Sequence, residues 1–430
     1  MKFGVPKSVA GATILGAGLI ICALEFVSIL DATVFMRAIQ QQPHRQLGLD
    51  VDSNSKNNQQ YLYYFSHNGF SNQMIGLARA MQLAYTTNRI LILPPLLSHH
   101  ARVPGEGCKR YEMDRVLMYA KQDVETCMNS PNSHIRFSEI VDIEKLSEAT
   151  GVQLIDICDF VESEPTFAAH YFLENKQVSP SRIDLDGACT LKRTRSYSEM
   201  VDFFNSTFSD KAVAIIPSVF ISKNRNDQSK AFLESVLRFA PSNKLSKLLQ
   251  VISNRLPPKY IGVHERIGDY RTFRCFTATG RKYIHMYGMT TLLQMIQQES
   301  LAMAKEKNEA DSTPSVFFAS SSQEAVTCYK KFLGDAGFQT FSLSDVIVQG
   351  QGDISQELLS DIKVPESIVY LVLDQMIVSL GERVVMRSEF FSTFQMIIRV
   401  RHSDLHPEIM QRQLGPRFEP KFGRDFYYNL

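Results

Sequence analysis

The chain has 430 residues, 44% of them hydrophobic and 21% charged, with 46 Lys and Arg set against 45 Asp and Glu. Such a composition excludes a disordered chain, and the length allows more than one core. A net charge of +1 leaves no global electrostatic footprint for nucleic acid.

The first informative stretch is Val9 to Leu30, apolar apart from Glu25. About 20 apolar residues suffice to cross a bilayer, so residues 9–30 are expected to form a transmembrane anchor behind a cytoplasmic tail of residues 1–8. A cleavable signal is the alternative, but its apolar core usually runs only about 7–15 residues. The DATVF that follows Leu30 also offers no clean small-x-small cleavage site. Lys2 and Lys7 precede the span and Arg37 and Arg45 follow it, so charge alone does not orient it.

Residues 31–60 are expected to be a flexible stem, since Ala38 to Gln60 is polar, rich in Gln and Asn, and aperiodic. Beyond the span there are six cysteines: Cys108, Cys127, Cys158, Cys189, Cys275 and Cys328. An even number behind an export segment fits disulfides in an oxidising compartment, although any one could be a buried thiol. No pair has the C-x-x-C spacing of a metal or redox site. The sequon Asn205-Ser206-Thr207 is a candidate glycosylation site. These features favour a single-pass type II protein whose large body faces the lumen.

From Tyr61 onward, short apolar runs alternate with helical patterns. Strands are expected at 61–65, 90–94, 152–157, 212–217, 260–265, 315–320, 338–343 and 383–387. Helices are expected at 72–88, 230–239, 243–255, 289–305, 322–335 and 365–380, with a last one from 392. This alternation indicates parallel α/β sheets. Pro257-Pro258 divides it into two series, so the reading is two Rossmann-like halves, 61–256 and 257–430. A cleft between such halves is a preferred ligand site.

Three motifs carry candidate chemistry. SHNGFSNQ (66–73) links the first strand to its helix, with Gly69 allowing a tight turn and Asn72 a good N-cap. The N–H groups of such a helix start suit an anion, though an ordinary capped turn would look the same. YIGVHERIGDY (260–270) runs from an apolar strand into a polar cluster. Alternation puts His264 and Arg266 on one face and Glu265 on the other. Arg266 could fork onto a phosphate or could cap the strand in an ion pair. In the third motif, Asp374 interrupts an apolar helix, and Ser392, Thr393 and Phe394 stand where a strand passes into a helix. Asp374 could accept two N–H bonds from a guanine edge or be a satisfied core carboxylate.

The order of these motifs resembles the GDP-fucose protein O-fucosyltransferase family: xGxxNQ, then HxRxGD, then a late helical Asp and S-[ST]-F. The resemblance spans residues 61–402 and is strongest over 67–95 and 260–270. SVFFASSSQEAV (315–326) is similar to a further segment of the family. The α1,2- and α1,6-fucosyltransferases carry related versions of HxRxGD.

The resemblance implies an α/β, GT-B-like fold of two Rossmann-like domains facing a cleft, with the acceptor on the side of 61–256 and the nucleotide sugar on the side of 257–430. It implies an inverting transfer of fucose from GDP-fucose to a protein Ser or Thr hydroxyl, with no cofactor and no metal in the chemistry. A glycan acceptor, or a non-catalytic sugar-binding relative, is the alternative. Arg266 is expected at the β-phosphate as the main catalytic group, and Asn72 near the reacting groups. Gly69, Phe70 and Ser71 complete the donor-binding turn, His264 and Asp374 meet the nucleoside end, and Ser392, Thr393 and Phe394 line the diphosphate and base pocket. The implied place is a Golgi or endoplasmic reticulum membrane. Three departures stand out: the turn reads NGFSNQ where animal members carry a basic residue beside Phe and a Gly at the place of Ser71, Glu265 replaces a usually apolar or basic residue, and a short insertion stands between Asp374 and Ser392. Asp184-Leu185-Asp186 resembles the D-x-D of metal-dependent transferases but reads as a surface loop.

Overall fold

Among the described residues of the computed structural model, eight short strands form two sheets, every neighbouring pair parallel. The structure describes residues 59–66, 69–98, 113–173, 197–209, 211–216, 227–265, 285–307, 314–320, 322–347, 353–386 and 393–406. The tail, the apolar span 9–30 and nearly all of the stem lie outside them, as do Arg266, Asp269, Ser392 and Asp184 to Asp186. Among the described residues no helix is long and apolar enough to cross a membrane. Residues Lys56–Leu430 make one compact unit.

The first sheet holds β1 (Tyr61–Tyr64), β2 (Ile90–Leu93), β3 (Leu154–Asp156) and β4 (Val213–Ile216) in the order β3-β2-β1-β4. The second holds β5 (Tyr260–Glu265), β6 (Ser315–Ser320), β7 (Thr340–Phe341) and β8 (Arg383–Met386) in the order β7-β6-β5-β8. The two orders are the same pattern repeated. In each, chain direction across the sheet reverses beside the first strand, between β1 and β4 and between β5 and β8. Open parallel sheets bind ligands outside the carboxyl ends of the strands at that reversal.

Helices of seven residues or more among the described residues are numbered here in chain order. The first half has α1 (Phe70–Thr86), α2 (Met113–Asn129), α3 (Ile143–Thr150), α4 (Ile157–Ser163), α5 (Tyr197–Phe208), α6 (Asp227–Leu237) and α7 (Asn243–Ser253). The second has α8 (His285–Lys307), α9 (Gln323–Asp335), α10 (Ile354–Asp361), α11 (Glu366–Leu380) and α12 (Thr393–Leu405).

Period-two alternation sorts each strand into an inner and an outer face. Leu62, Tyr64, Leu91, Leu93, Ala214 and Ile216 of the first sheet share one apolar cluster with Tyr260, Phe317, Ala319 and Val384 of the second. The same cluster takes in α1, α7, α11 and α12, with α1 lying against β1 and β2 and α11 against β5 and β6, so the inner faces of both sheets belong to one continuous core. The outer faces have separate cores. Tyr61, Tyr63, Ile92, Val213 and Ile215 pack with α2 and α4, while Ile261, Val263, Val316, Phe318 and Val385 pack with α8 and α9.

This arrangement explains why α1 is buried over almost its whole length rather than along one stripe. It lies against the sheet on one side and against α6 and α12 on the other. α12 comes from the last described stretch of chain, yet it packs on α1, α6 and α11. On the outer side of the first sheet, Cys127 of α2 and Cys158 of α4 form a disulfide. Cys328 is disulfide-bonded as well.

Candidate functional site

The turn after β1 comes first. Asn72 was expected to cap α1, but the helix starts earlier, on Gly69, whose carbonyl accepts from the Asn72 and Gln73 amides at 2.9 and 3.1 Å. Gly69 has an ordinary φ of −71°, no side chain caps the helix, and its first turn has no acidic residue. Asn72 therefore sits inside the first turn, partly buried, with its Oδ1 enclosed and without a hydrogen-bond partner. The adjacent Gln73 serves the fold instead. Its Nε2 donates to the Leu97 carbonyl at 2.8 Å, and its Oε1 accepts from the Leu97 amide at 3.0 Å and from Ser66 Oγ at 3.2 Å. Phe70 is core, 2% exposed and edge-on to Phe239 at 5.9 Å.

The second motif begins on β5. Tyr260, Gly262 and His264 face inward, and Ile261, Val263 and Glu265 face outward toward α8 and α9, as the alternation requires. His264 is buried, its ring stacked on Phe394 of α12 at 4.1 Å and 19°. Two residues 130 positions apart in the chain, both assigned to the donor from sequence, are thus in contact. Thr393 opens α12 as expected, and Arg266 follows directly on the last residue of β5.

Asp374 lies on α11, partly exposed, and burial pushes its carboxyl up to about 8. Gln375 beside it, absent from the sequence assignment, is fully buried and donates from Nε2 to Ser71 Oγ at 2.8 Å. This bond joins the first turn of α1 to α11 across 304 residues of chain. A signal for Gln375 was present: it and Asp374 form an adjacent polar pair in the middle of the largely apolar run SIVYLVLDQMIVSL.

Ser71 and Gln375 therefore meet, one in the helix turn that also carries Asn72 and the other on the helix that carries Asp374. His264 of β5 and Phe394 of α12 form a second contact, and α12 packs on both α1 and α11. Arginine Nε atoms aside, several buried polar atoms without partners stand at strand carboxyl ends or beside them. They are Tyr64 Oη on β1, Asp156 Oδ2 on β3, Ser320 Oγ on β6, Asn72 Oδ1 and Gln375 Oε1. Buried polar groups are nearly always bonded, so acceptors left over at these ends suit a polar ligand. Asn205 is on the exposed side of α5. Cys127, His134 and Cys158 bring possible metal-ligand atoms within 4.8 Å, but both sulfurs are spent in the disulfide.

No protein-family model matches the chain. A curated relative, O-fucosyltransferase 30 of Arabidopsis thaliana, is 34% identical over 103 residues, which is 23% of this chain and 20% of the relative. The chain thus spans about a fifth of that relative's length. Among solved structures, POFUT1 in its apo form is similar at 12% identity and a TM-score of 0.48, covering 83% of this chain and 98% of that one. POFUT1 with GDP gives 12% and 0.46, covering 81% and 97%. The fucosyltransferase NodZ from Bradyrhizobium gives 14% and 0.39, covering 79% and 92%. The resemblance to O-fucosyltransferases carried by the motif order is therefore matched, over 103 residues, by direct identity with a protein of that name.

Proposed function

We propose that this chain transfers fucose from GDP-fucose to a Ser or Thr hydroxyl of a protein, inverting the sugar carbon and needing no metal in the chemistry. The observation that carries this reading is the meeting of distant segments, Ser71 with Gln375 on the helix that carries Asp374, and the motif residues His264 and Phe394 with each other. The name of the plant relative supports the same direction. In this reading the fold is GT-B-like, with 61–256 on the acceptor side and 257–430 on the nucleotide-sugar side. The apolar span 9–30 anchors the body in a Golgi or endoplasmic reticulum membrane, facing the lumen.

The acceptor oxygen bonds to the sugar carbon as the bond from that carbon to the β-phosphate oxygen breaks. The electron pair leaves with GDP and the hydroxyl proton is released to solvent, so GDP-fucose and the alcohol give the fucoside, GDP and a proton. Charge grows on the departing diphosphate, so a fixed cation there stabilises the transition state more than the ground state. Arg266 supplies that cation, its planar fork matching two phosphate oxygens. Asn72 offers an enclosed Oδ1 as acceptor for a substrate hydroxyl. Phe394, stacked on the buried His264, offers a ring face to the base, and Asp374 accepts from its edge once ionised.

The test is transfer of labelled fucose by the full chain to folded protein domains and to free glycans, with and without EDTA. Transfer to protein should persist in EDTA. Arg266→Ala should lower kcat by about 10²–10³-fold, roughly 3–4 kcal/mol, the usual cost of losing one preorganised donor. Arg266→Lys should restore little. Near-normal turnover by the Ala variant overturns the assignment of Arg266, and fucose appearing on glycans alone overturns the protein acceptor.

A further inference from the structure

Gln375 is fully buried among apolar neighbours: Leu373, Met376 and Ile377 on its own helix all belong to the shared core. Its amide makes one recorded hydrogen bond, Nε2 to Ser71 Oγ, and leaves Oε1 enclosed without a partner. A buried amide half satisfied in this way is a poor contributor to stability, and an apolar side chain of similar volume would serve the core at least as well. The place of the bond accounts for the cost. One end is the residue before Asn72, on a helix start that no side chain caps, and the other is the residue after Asp374.

We propose that Gln375 is a positioning residue, setting where Asn72 stands relative to Asp374 by holding the first turn of α1 against α11. The inference rests on the fucosyl-transfer reading above. The two halves of the site are carried by different sheets, and misplacement of a reacting group by about 1 Å can cost on the order of 10²-fold in rate. The Ser71–Gln375 bond, buried at both ends, links α1 to α11, so Gln375 acts on the site through its neighbours rather than by touching a substrate.

The experiment uses the full chain with Gln375→Met, Ser71→Ala and the double variant. It measures thermal melting, kcat and the KM for GDP-fucose. Gln375→Met should melt at or above the wild-type temperature while kcat falls about tenfold and KM shifts much less, as expected when orientation rather than binding is lost. The double variant should be no slower than the slower single one, because both changes remove the same bond. Wild-type kcat in Gln375→Met, additive losses in the double variant, or melting and kcat falling together would each overturn the positioning role. A wild-type chain that transfers nothing from GDP-fucose overturns the parent reading instead, so the two failures are distinct.

Discussion

Among the described residues, four of the numbered helices begin on a side chain that satisfies one of their own amides. Asp142 accepts from Lys145 N at 3.1 Å, Ser242 from Leu245 N at 3.2 Å, Ser322 from Ala325 N at 3.3 Å and Asp353 from Ser355 N at 2.8 Å. α1 begins on Gly69 with neither a side-chain cap nor an acid in its first turn. Among the numbered helices whose caps are described, it alone lacks both. The same division separates the body of the sheets from their carboxyl ends. In the body, polar groups are often paired with each other, as where Tyr260 Oη donates to the Ile377 carbonyl at 2.7 Å, although the Nε atoms of Arg79, Arg89 and Arg401 are not. At the strand ends, Tyr64, Asn72 and Ser320 keep acceptors enclosed and unpaired. The contrast teaches where the chain has kept polar capacity for something other than its own fold. It also predicts that changes in the body act through stability, and changes at the rim through binding and turnover.

The largest expected effect belongs to the body. Gly262 of β5 lies so close to α11 that an added Cβ would stand 2.2 Å from the Val378 carbonyl oxygen. Gly381 approaches from the other side, where a Cβ would stand 2.7 Å from the Gly262 amide. Backbone on both sides leaves no flexible side chain to yield. Gly262→Ala should therefore cost about 3 kcal/mol, the upper end for overpacking, measured by urea unfolding. Activity per folded molecule should be kept at low temperature. Full stability in this variant would break the claim that β5 and α11 are locked together.

Asp374 gives the next effect and sets body and rim against each other. Burial raises its carboxyl to about 8, and in the unfolded chain it titrates near its ordinary value of 3.8. Between those values the folded state holds a proton that the unfolded state has released, so this group makes stability fall as pH rises from about 4 to about 8. Binding a guanine edge requires the carboxylate, so GDP affinity should change the other way. It should strengthen by nearly tenfold per pH unit below about 8 and then level off. Calorimetric titration of GDP at several pH values reads the slope, and Asp374→Asn should flatten both dependences. Asp156, which burial pushes up to about 6, is unchanged in that variant, so the difference isolates Asp374. A GDP affinity flat across this range would remove the guanine-edge role.

Much of the framework was legible because breakers bound it. Pro257-Pro258 precedes β5, and β5 and β6 fall on the expected 260–265 and 315–320. Legibility fails where a polar residue at a strand end is taken by the next helix. The expected strand 152–157 shrinks to Leu154–Asp156, because Ile157 already begins α4. The expected strand 338–343 keeps only Thr340–Phe341, because Ser342 and Asp345 form a capping box for a short helix. α2 was not expected, although Val116, Ala120, Val124 and Cys127 recur at helical spacing and do face the outer core. In the candidate site, His264, Phe394, Asn72 and Asp374 are the residues that motif order singles out. Gln375 shows in the sequence only as a polar residue in an apolar helix, and neither its bond to Ser71 nor the Cys127–Cys158 pairing can be read there, since each depends on which distant residue the fold brings near.

The smallest effect is the sharpest test of the comparison, because it exchanges one device for the other. Ser242→Ala removes a structural cap from α7 and should cost about 1 kcal/mol while leaving GDP binding unchanged. Gly69→Asp supplies α1 with the cap and first-turn charge it lacks, at a φ of −71° that any residue adopts. A carboxylate there should stabilise the helix start by roughly 0.5–1 kcal/mol. The same charge would repel a diphosphate and occupy the first-turn amides, so GDP affinity should fall as melting temperature rises. If Gly69→Asp raised stability and left donor binding intact, the bare start of α1 would be an accident of sequence. If both fell, α1 would already be satisfied as it stands, and the contrast between its start and those of α3, α7, α9 and α10 would lose its functional meaning.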